Sequence, residues 1–164
     1  NYLNIRFDNK KLKKSCDFNL NLISIESEHL GIPDTSYSSM ITMSSNEFNR
    51  IIKELFFLAE TVNIETGSNF VSFSVNTESV NGSIRIDSND SSSQEEMTLI
   101  KVTDPVNLAF AMRYLNMFIK ATALTEQVQL GLSSEYPLRV EYKLSNLGSL
   151  KYYLAPRISE EKDK

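Results

Sequence analysis

The sequence predicts an α+β fold in which antiparallel sheets carry two helices on one face. Many short segments alternate apolar and polar residues, which is the pattern of half-buried strands. Only two segments repeat apolar residues at helical spacing, one beginning near residue 44 and one near residue 112. A strand leads into each of them, and stretches of strands of about equal length follow. This weak internal repeat predicts that both helices lie on the same side of a two-sheet domain.

The strands are read from alternation and their connections from turn-forming residues. A lysine-rich turn separates the first two strands, and residues 25–39 show neither strand nor helix periodicity and contain Gly31 and Pro33, which predicts an extended linker. We predict strands at 2–7, 16–22, 40–43, 62–64, 71–75, 83–86, 97–102, 106–110, 128–132, 138–144 and 150–154.

The first helix is predicted over residues 44–57. Ser44 or Ser45 can cap its start, Glu47 is placed for a capping box, and apolar residues then recur at three- and four-residue intervals. The second helix is predicted over residues 112–121, directly after a strand. The polar, acidic segment 87–96 predicts a mobile loop, and the charged composition of 159–164 predicts a solvated tail.

Composition restricts the class of protein. The 164 residues have a net charge of -4, with 41% hydrophobic and 23% charged residues, as in ordinary soluble globular chains. We expect no membrane span and no signal peptide, because no apolar run is long enough and none follows Asn1. The single cysteine, Cys16, excludes an internal disulfide and fits a reducing compartment.

The sequence contains no pattern typical of an enzyme. The one histidine, His29, lies in the predicted linker, no serine stands in a G-x-S-x-G turn, and the glycines form no phosphate loop. No histidines, cysteines and carboxylates share a metal-ligand spacing. We therefore expect no catalytic residue, no cofactor and no metal site, and we interpret the acids of 87–96 as a solvated loop.

Each predicted helix has a basic face opposite its apolar face. Arg50 and Lys53 share one face of the first helix, and Arg113, Asn116 and Lys120 line one face of the second. For either helix alone, an ordinary solvent-exposed face is the alternative. Two such faces on one side of an acidic protein predict a local positive surface for a polyanion, with sequence-independent contacts to phosphates.

The linker also carries large apolar residues, Leu30 and Ile32, beside Gly31 and Pro33. They either fasten the linker to the sheet or form an exposed patch for partner peptides, and the spacing leaves both interpretations open. The run YYLAP at 152–156 would supply aromatic and proline walls to such a patch.

Four runs resemble the eukaryotic proliferating cell nuclear antigen (PCNA) family of sliding DNA clamps. EHLGIP at 28–33 resembles the interdomain connector, AMRYLN at 111–116 with Phe118 and 120–122 resembles the central-helix block, and VEYK at 140–143 and LKYYLAP at 150–156 resemble the C-terminal strands. The last motif is highly specific. The similarity runs in order over essentially the whole sequence and covers the second half of the family, most of the first domain being absent here.

The resemblance implies a domain organisation and a function. Residues 1–22 would be the last strands of the first clamp domain, 23–39 the connector, 40–158 the second domain with the DNA-clamp (processivity) fold, and 159–164 a flexible acidic tail. It implies a nuclear homotrimeric ring that encircles duplex DNA, is not an enzyme, and serves DNA replication and repair. Alternatives are a checkpoint-type or divergent clamp-like scaffold without a replicative role and, thirdly, an enzyme of unknown type.

The resemblance also implies partners and the residues that meet them. DNA polymerase, the clamp loader and other proteins would dock through a Q-x-x-[ILM]-x-x-[FY]-[FY] peptide, the PIP-box, and no membrane is involved. DNA-facing basic residues would be Lys14, Arg50, Lys53, Arg113 and Lys120. The peptide pocket would consist of Leu30, Ile32, Ala111, Pro137, Tyr153, Ala155 and Pro156.

Ring closure and modification follow from the same resemblance. The strands 16–22 and 81–87 would pair between neighbouring chains, with Cys16, Phe18, Leu20, Ile84 and Ile86 at the subunit interface. The lysine that the family usually modifies with ubiquitin aligns near Ser68 or Asn69, and no lysine lies between Lys53 and Lys101. The resemblance therefore does not extend to ubiquitylation at that position.

Overall fold

The computed structural model of the protein describes residues 1–23, 35–89 and 97–157. The chain divides into two units, Asn1–Asp34 and Thr35–Lys164, so the boundary falls inside the predicted connector. Most of that connector, most of the predicted acidic loop and the predicted tail lie outside the described residues.

The first unit contains an antiparallel hairpin of β1 (Tyr2–Asn9) and β2 (Lys14–Asn21), which confirms the two strands predicted there. Alternation sorts the side chains onto two faces, because successive residues of a strand point in opposite directions. Cys16 stands opposite Phe7, and Phe18 stands opposite Ile5. These residues and their neighbours two positions away form one apolar face of the hairpin, and most of its side chains are exposed within this unit. That face consists of Leu3, Ile5, Phe7, Cys16, Phe18 and Leu20.

The second unit contains two antiparallel sheets and thereby confirms the predicted α+β class. One sheet has five strands in the order β11-β10-β9-β3-β7, and the other has four in the order β6-β5-β4-β8. The strands are β3 (Ser39–Ser44), β4 (Thr61–Gly67), β5 (Phe70–Asn76), β6 (Asn81–Asp87), β7 (Leu99–Val102), β8 (Asn107–Ala111), β9 (Gln127–Leu132), β10 (Leu138–Lys143) and β11 (Ser149–Leu154).

The first helix, α1 (Ser45–Phe56), begins as predicted, with the Ser44 hydroxyl accepting a hydrogen bond from the backbone N–H of Glu47 at 3.5 Å. The second helix differs from the prediction. Its α-helical part, α2, covers only Met112–Phe118, and a 3-10 segment continues it over Ile119–Leu124.

Both helices bury their apolar faces in one core with the two sheets. Phe48 of α1 is fully buried, and its ring centroid lies 6.2 Å from that of Phe73 on β5. Leu115 of α2 is also fully buried. Burying a side chain of this size contributes roughly 1.5–3 kcal/mol, so these contacts fix the helices against the sheets and leave their polar faces outside.

Gly131 on β9 allows a close approach by Tyr37. A Cβ atom at position 131 would lie 2.8 Å from Cγ of Tyr37, closer than carbon atoms can pack. The Arg139 guanidinium covers the same ring, 4.7 Å from its centroid. The absence of a side chain at position 131 therefore fixes where Tyr37 and Arg139 lie on the outer face of the five-stranded sheet.

Gly131→Ala should lower the free energy of unfolding by roughly 1–3 kcal/mol, because the added methyl group displaces the Tyr37 ring. Gly82→Ala is the matched control, since a Cβ atom there would meet nothing within 4 Å. Urea unfolding of both variants beside the wild type measures the difference. Equal stabilities of the two variants would show that the Tyr37 contact does not constrain position 131.

Candidate functional site

The two helical segments lie side by side, as the internal repeat predicts. The side-chain amide of Asn49 on α1 donates to Thr122 Oγ1 at 3.0 Å and to the carbonyl of Ile119 at 3.3 Å. At the other end of the pair, the backbone N–H of Met112 donates to the carbonyl of Glu60 at 2.9 Å. The bonds of Asn49 join α1 to the 3-10 segment, and the bond of Met112 joins the start of α2 to the segment that follows α1.

A cleft of about 320 Å³ lies between them, and it is referred to below as the helix-pair cleft. It brings together two of the predicted basic residues, Lys53 from α1 and Lys120 from the 3-10 segment. No carboxylate is among the residues lining it. Ammonium groups and side-chain amides donate hydrogen bonds to phosphate oxygens, so the cleft can bind an anionic group. The lining residues are Asn46, Asn49, Lys53, Asn116, Ile119, Lys120, Thr122 and Ala123.

Arg50 has a different environment from these lysines. Its Nη2 donates to Glu47 Oε1 at 2.7 Å, and its Nε lies 4.0 Å from Glu54 Oε1. The carboxylate of Glu47 therefore pairs with Arg50 instead of closing a capping box. The hydrogen bond and charge of Glu47 raise the pKa of Arg50 above its ordinary value. The positive charge of Arg50 is locally compensated, which weakens its contribution to an anion-binding surface.

Arg113 is held by its neighbour in α2. Its guanidinium lies 4.6 Å from the centroid of the Tyr114 ring, and its Nη2 donates to the Tyr114 hydroxyl at 2.8 Å. Within the described ranges, no ion pair involves Arg113, Lys53 or Lys120. Lys14, the fifth predicted DNA-facing residue, is exposed at the start of β2 in the other unit.

Three aromatic side chains, one buried and two half-buried, pack together next to the 3-10 segment. The Phe118 ring stacks on Tyr152 with centroids 4.5 Å apart, and Tyr142 meets Tyr152 edge-on at 6.3 Å. Tyr142 is fully buried, and its hydroxyl lies near Thr122 without forming a hydrogen bond of ordinary geometry. Burial raises the pKa of Tyr142 to about 12, because the ionised phenolate is poorly solvated there.

The raised pKa of Tyr142 makes stability depend on pH in the alkaline range. The stabilisation that results from this shift is complete below the unfolded pKa of 10.0. It is lost as pH rises towards about 12, because the tyrosine of the unfolded chain releases its proton at a lower pH than that of the folded chain. The unfolding free energy of the wild type relative to Tyr142→Phe should fall by roughly 2 kcal/mol over this window. Chemical unfolding at several pH values measures this. Tyr2→Phe, at an exposed tyrosine, should show no such difference.

The segment that follows β11 joins the two sheets of the second unit. The backbone N–H of Arg157 donates to the carbonyl of Ala109 on β8 at 2.7 Å, in an antiparallel bridge. Ala111 lies two residues after Ala109, and Ala155 lies two residues before Arg157. Because the bridge is antiparallel, both alanines are on the same side of it. Ala111 is buried, and Ala155 is exposed.

Further residues of the predicted peptide pocket lie near this bridge. Pro137 and Ala155 flank the pair Leu138–Leu154, at one end of the β10–β11 ladder. Tyr153 stands opposite Arg139 in the same ladder. Leu30 and Ile32, the connector residues of the predicted pocket, lie outside the described residues. The described part of the prediction, called the pocket corner below, consists of Ala111, Pro137, Tyr153, Ala155 and Pro156.

Two further residues border the pocket corner, and the sequence interpretation missed them. Tyr37 lies under the Arg139 guanidinium and meets Tyr136 edge-on, with ring centroids 6.4 Å apart. The outward direction of Arg139 follows from the alternation of residues 138–142, whereas Tyr37 lies in the linker, where no periodicity points to it. Tyr152, expected as a wall of the patch, packs against the core instead.

The residues predicted at the subunit interface lie on β2 and β6. Ile84 and Ile86 are half-buried and pack against the core from β6, which is an edge strand of the four-stranded sheet. Among the described residues, β2 pairs only with β1 and β6 only with β5. Each strand therefore keeps one free edge within its own unit. Ser68 and Asn69 lie in the exposed turn between β4 and β5.

The described parts of the chain contain no group of three histidines, cysteines or carboxylates arranged to hold a metal ion. No helix within them is long and apolar enough to cross a membrane.

Comparison with protein families identifies the fold. Residues 31–157 match the family model described as "Proliferating cell nuclear antigen, C-terminal domain". The match spans both sheets of the second unit, the helix-pair cleft and the pocket corner. The sliding-clamp family to which this domain belongs is a non-enzymatic scaffold. The chain is therefore a member of the PCNA family of sliding clamps, with that family's C-terminal domain at residues 31–157.

Proposed function

We propose that this protein is a sliding clamp that encircles duplex DNA, acts as a processivity factor for DNA polymerase and docks replication and repair proteins. The observation that carries the proposal is the helix-pair cleft, in which Lys53 and Lys120 lie together with no carboxylate in the lining. In a protein of net charge -4, a local cationic surface of this kind favours a polyanionic partner.

The chemistry of the surface favours contacts that do not depend on sequence. Lysine is a point charge on a flexible stem and suits phosphate oxygens, which carry no base information. Arg113 adds a cation that no carboxylate neutralises among the described residues. Contacts of this type hold a ring around DNA and still permit it to slide along the duplex.

The pocket corner supports the docking of peptides. Its exposed and half-buried side chains are small, apolar or aromatic and lie where the two sheets meet. An aromatic side chain of a partner peptide gains roughly 1.5–3 kcal/mol when it is fully buried on such a surface. We expect Q-x-x-[ILM]-x-x-[FY]-[FY] peptides of DNA polymerase, the clamp loader and repair proteins to bind there, with Leu30 and Ile32 of the connector completing the pocket.

Ring closure would use the free strand edges. A head-to-tail contact between β6 of one chain and β2 of the next uses two different surfaces, which generates a closed ring when the rotation is right. Pairing also satisfies backbone groups that an edge strand leaves open. We propose a homotrimer with Cys16, Phe18, Leu20, Ile84 and Ile86 at its interfaces, acting in the nucleus without catalytic activity of its own.

Retention on circular DNA tests the proposal. The full-length protein, loaded onto a nicked circular duplex by its loader, should stay bound through gel filtration and leave when the duplex is cut, because a ring slides off a free end. Retention that survives linearisation would contradict encirclement. Retention that depends on a circle, without longer products from DNA polymerase, would favour the clamp-like scaffold over the processivity factor.

A further inference from the structure

The turn between β1 and β2 carries a cluster of positive charge. Lys10, Lys11, Lys13 and Lys14 are all exposed, and they occupy four of five consecutive positions. Residues 1–23 contain five basic and two acidic side chains, a net charge of +3, although the whole protein carries -4. The charge of the hairpin thus opposes that of the rest of the chain.

The two carboxylates of the hairpin contact residues other than the lysines of the turn. Asp8 pairs with Arg6 at 3.2 Å, and Asp17 accepts a hydrogen bond from the side-chain amide of Asn4. Among the described residues, no ion pair involves a lysine of the turn. Their charges are therefore available to a partner.

The turn has a defined backbone. Eight residue pairs join β1 to β2, so the two strands hold the ends of the turn at Asn9 and Lys14. The side-chain carbonyl of Asn9 accepts a hydrogen bond from the backbone N–H of Leu12 at 3.0 Å. Lys13 adopts a left-handed conformation with φ of 50°, which reverses the chain. The lysines are consequently presented on a structured turn.

We propose that this turn, through Lys10, Lys11 and Lys13, binds the phosphates of duplex DNA as a contact separate from the helix-pair cleft. The inference rests on the proposed function, which brings duplex DNA to the protein. Lysines that neutralise phosphates release condensed counterions, and this release drives sequence-independent binding. The turn therefore adds electrostatic affinity for DNA to that of the helices.

The composition of the turn favours DNA over two other anionic partners. Leu12, which is 73% exposed, is the one large apolar side chain among residues 10–14. Anchoring in a membrane needs a larger apolar face beside the basic residues. An acidic peptide would likewise need apolar pockets for specific docking. Regularly spaced phosphates require only accessible cations, which the turn provides.

The salt dependence of DNA binding tests the inference. Affinity of the full-length protein for a fluorescent duplex is measured by anisotropy at several salt concentrations. The turn variant combines Lys10→Gln, Lys11→Gln and Lys13→Asn, since asparagine tolerates the left-handed conformation. Its matched control combines Lys101→Gln, Lys143→Gln and Lys151→Gln, three exposed lysines of the five-stranded sheet.

The turn variant should bind roughly tenfold more weakly at low salt, and its slope of log affinity against log salt should shrink by about 2 to 3, since each lost phosphate contact removes about 0.9. The control should match the wild type. A variant with Lys10→Arg, Lys11→Arg and Lys13→Arg should keep both affinity and slope, because the charges remain. Unchanged urea unfolding of the variants confirms that the hairpin is folded.

Several outcomes would overturn the inference. If the turn variant matches the control while a helix-pair cleft variant loses affinity, the turn is not a DNA contact and the proposed function stands. If the wild type does not bind duplex DNA even at the lowest salt, the proposed function fails as well. Loss of binding to phosphatidylserine vesicles, with DNA affinity unchanged, would assign the turn to a membrane surface instead.

Discussion

Reversing the four helix charges, with Arg50, Lys53, Arg113 and Lys120 all changed to glutamate, should weaken duplex binding by more than about 100-fold at low salt. The change replaces cations that bind phosphates with anions that repel them. Anisotropy with a fluorescent duplex measures the affinity. Peptide binding should be unaffected, because the pocket corner lies on the β8 and β11 side of the domain and shares no residue with the cleft.

The structure further predicts that the four positions contribute unequally. Lys53 and Lys120 share the helix-pair cleft, whereas the charge of Arg50 is already compensated by Glu47 and Glu54. Lys53→Gln with Lys120→Gln should therefore cost most of the affinity, and Arg50→Gln should cost little. The control, Lys101→Gln with Lys151→Gln, removes two charges from the five-stranded sheet. A larger loss of DNA affinity from Arg50→Gln than from the lysine double variant would contradict the assignment of the helix-pair cleft as the main DNA contact.

Local patterns were sufficient to predict most of the fold. The alternation in segments such as 71–75 reflects strands with one buried face, and it identified the strands near their observed limits. Ser44 as the helix cap and the apolar face of α1 likewise depend only on neighbours in sequence. The switch from α2 to a 3-10 segment at Phe118 was not predicted, because no breaking residue marks it.

The candidate sites were less predictable because they depend on contacts between distant segments. Lys53 and Lys120 line one cleft because a hydrogen bond from Asn49 to Thr122 joins their segments, and helical periodicity cannot reveal this contact. The position of Tyr37 over Gly131 likewise depends on a tertiary contact. The compensation of the Arg50 charge, by contrast, could be predicted from the sequence. Glu47 stands three residues before Arg50 and Glu54 four residues after it, which are neighbouring positions on a helix. That signal was present in the sequence, and the interpretation of a basic face overlooked it.

Removing the two large apolar residues of the predicted connector should strongly weaken peptide docking. Leu30→Ala with Ile32→Ala should weaken binding of a Q-x-x-L-x-x-F-F peptide by more than about 100-fold, since each large side chain buried against the peptide contributes roughly 1.5–3 kcal/mol and 1.4 kcal/mol is tenfold. Calorimetric titration measures the affinity. Leu124→Ala with Leu147→Ala is the matched control, because it removes two exposed leucines outside the predicted pocket.

Ala155→Glu tests the described half of the same pocket. Ala155 is exposed, so a glutamate there should leave the free energy of unfolding nearly unchanged. The carboxylate would, however, lose its hydration when an aromatic peptide covers the pocket corner, which opposes binding. We therefore expect a loss of affinity comparable to that of the connector double variant. Full affinity in both variants would refute the pocket, whereas full affinity in Ala155→Glu alone would confine the contact to Leu30 and Ile32.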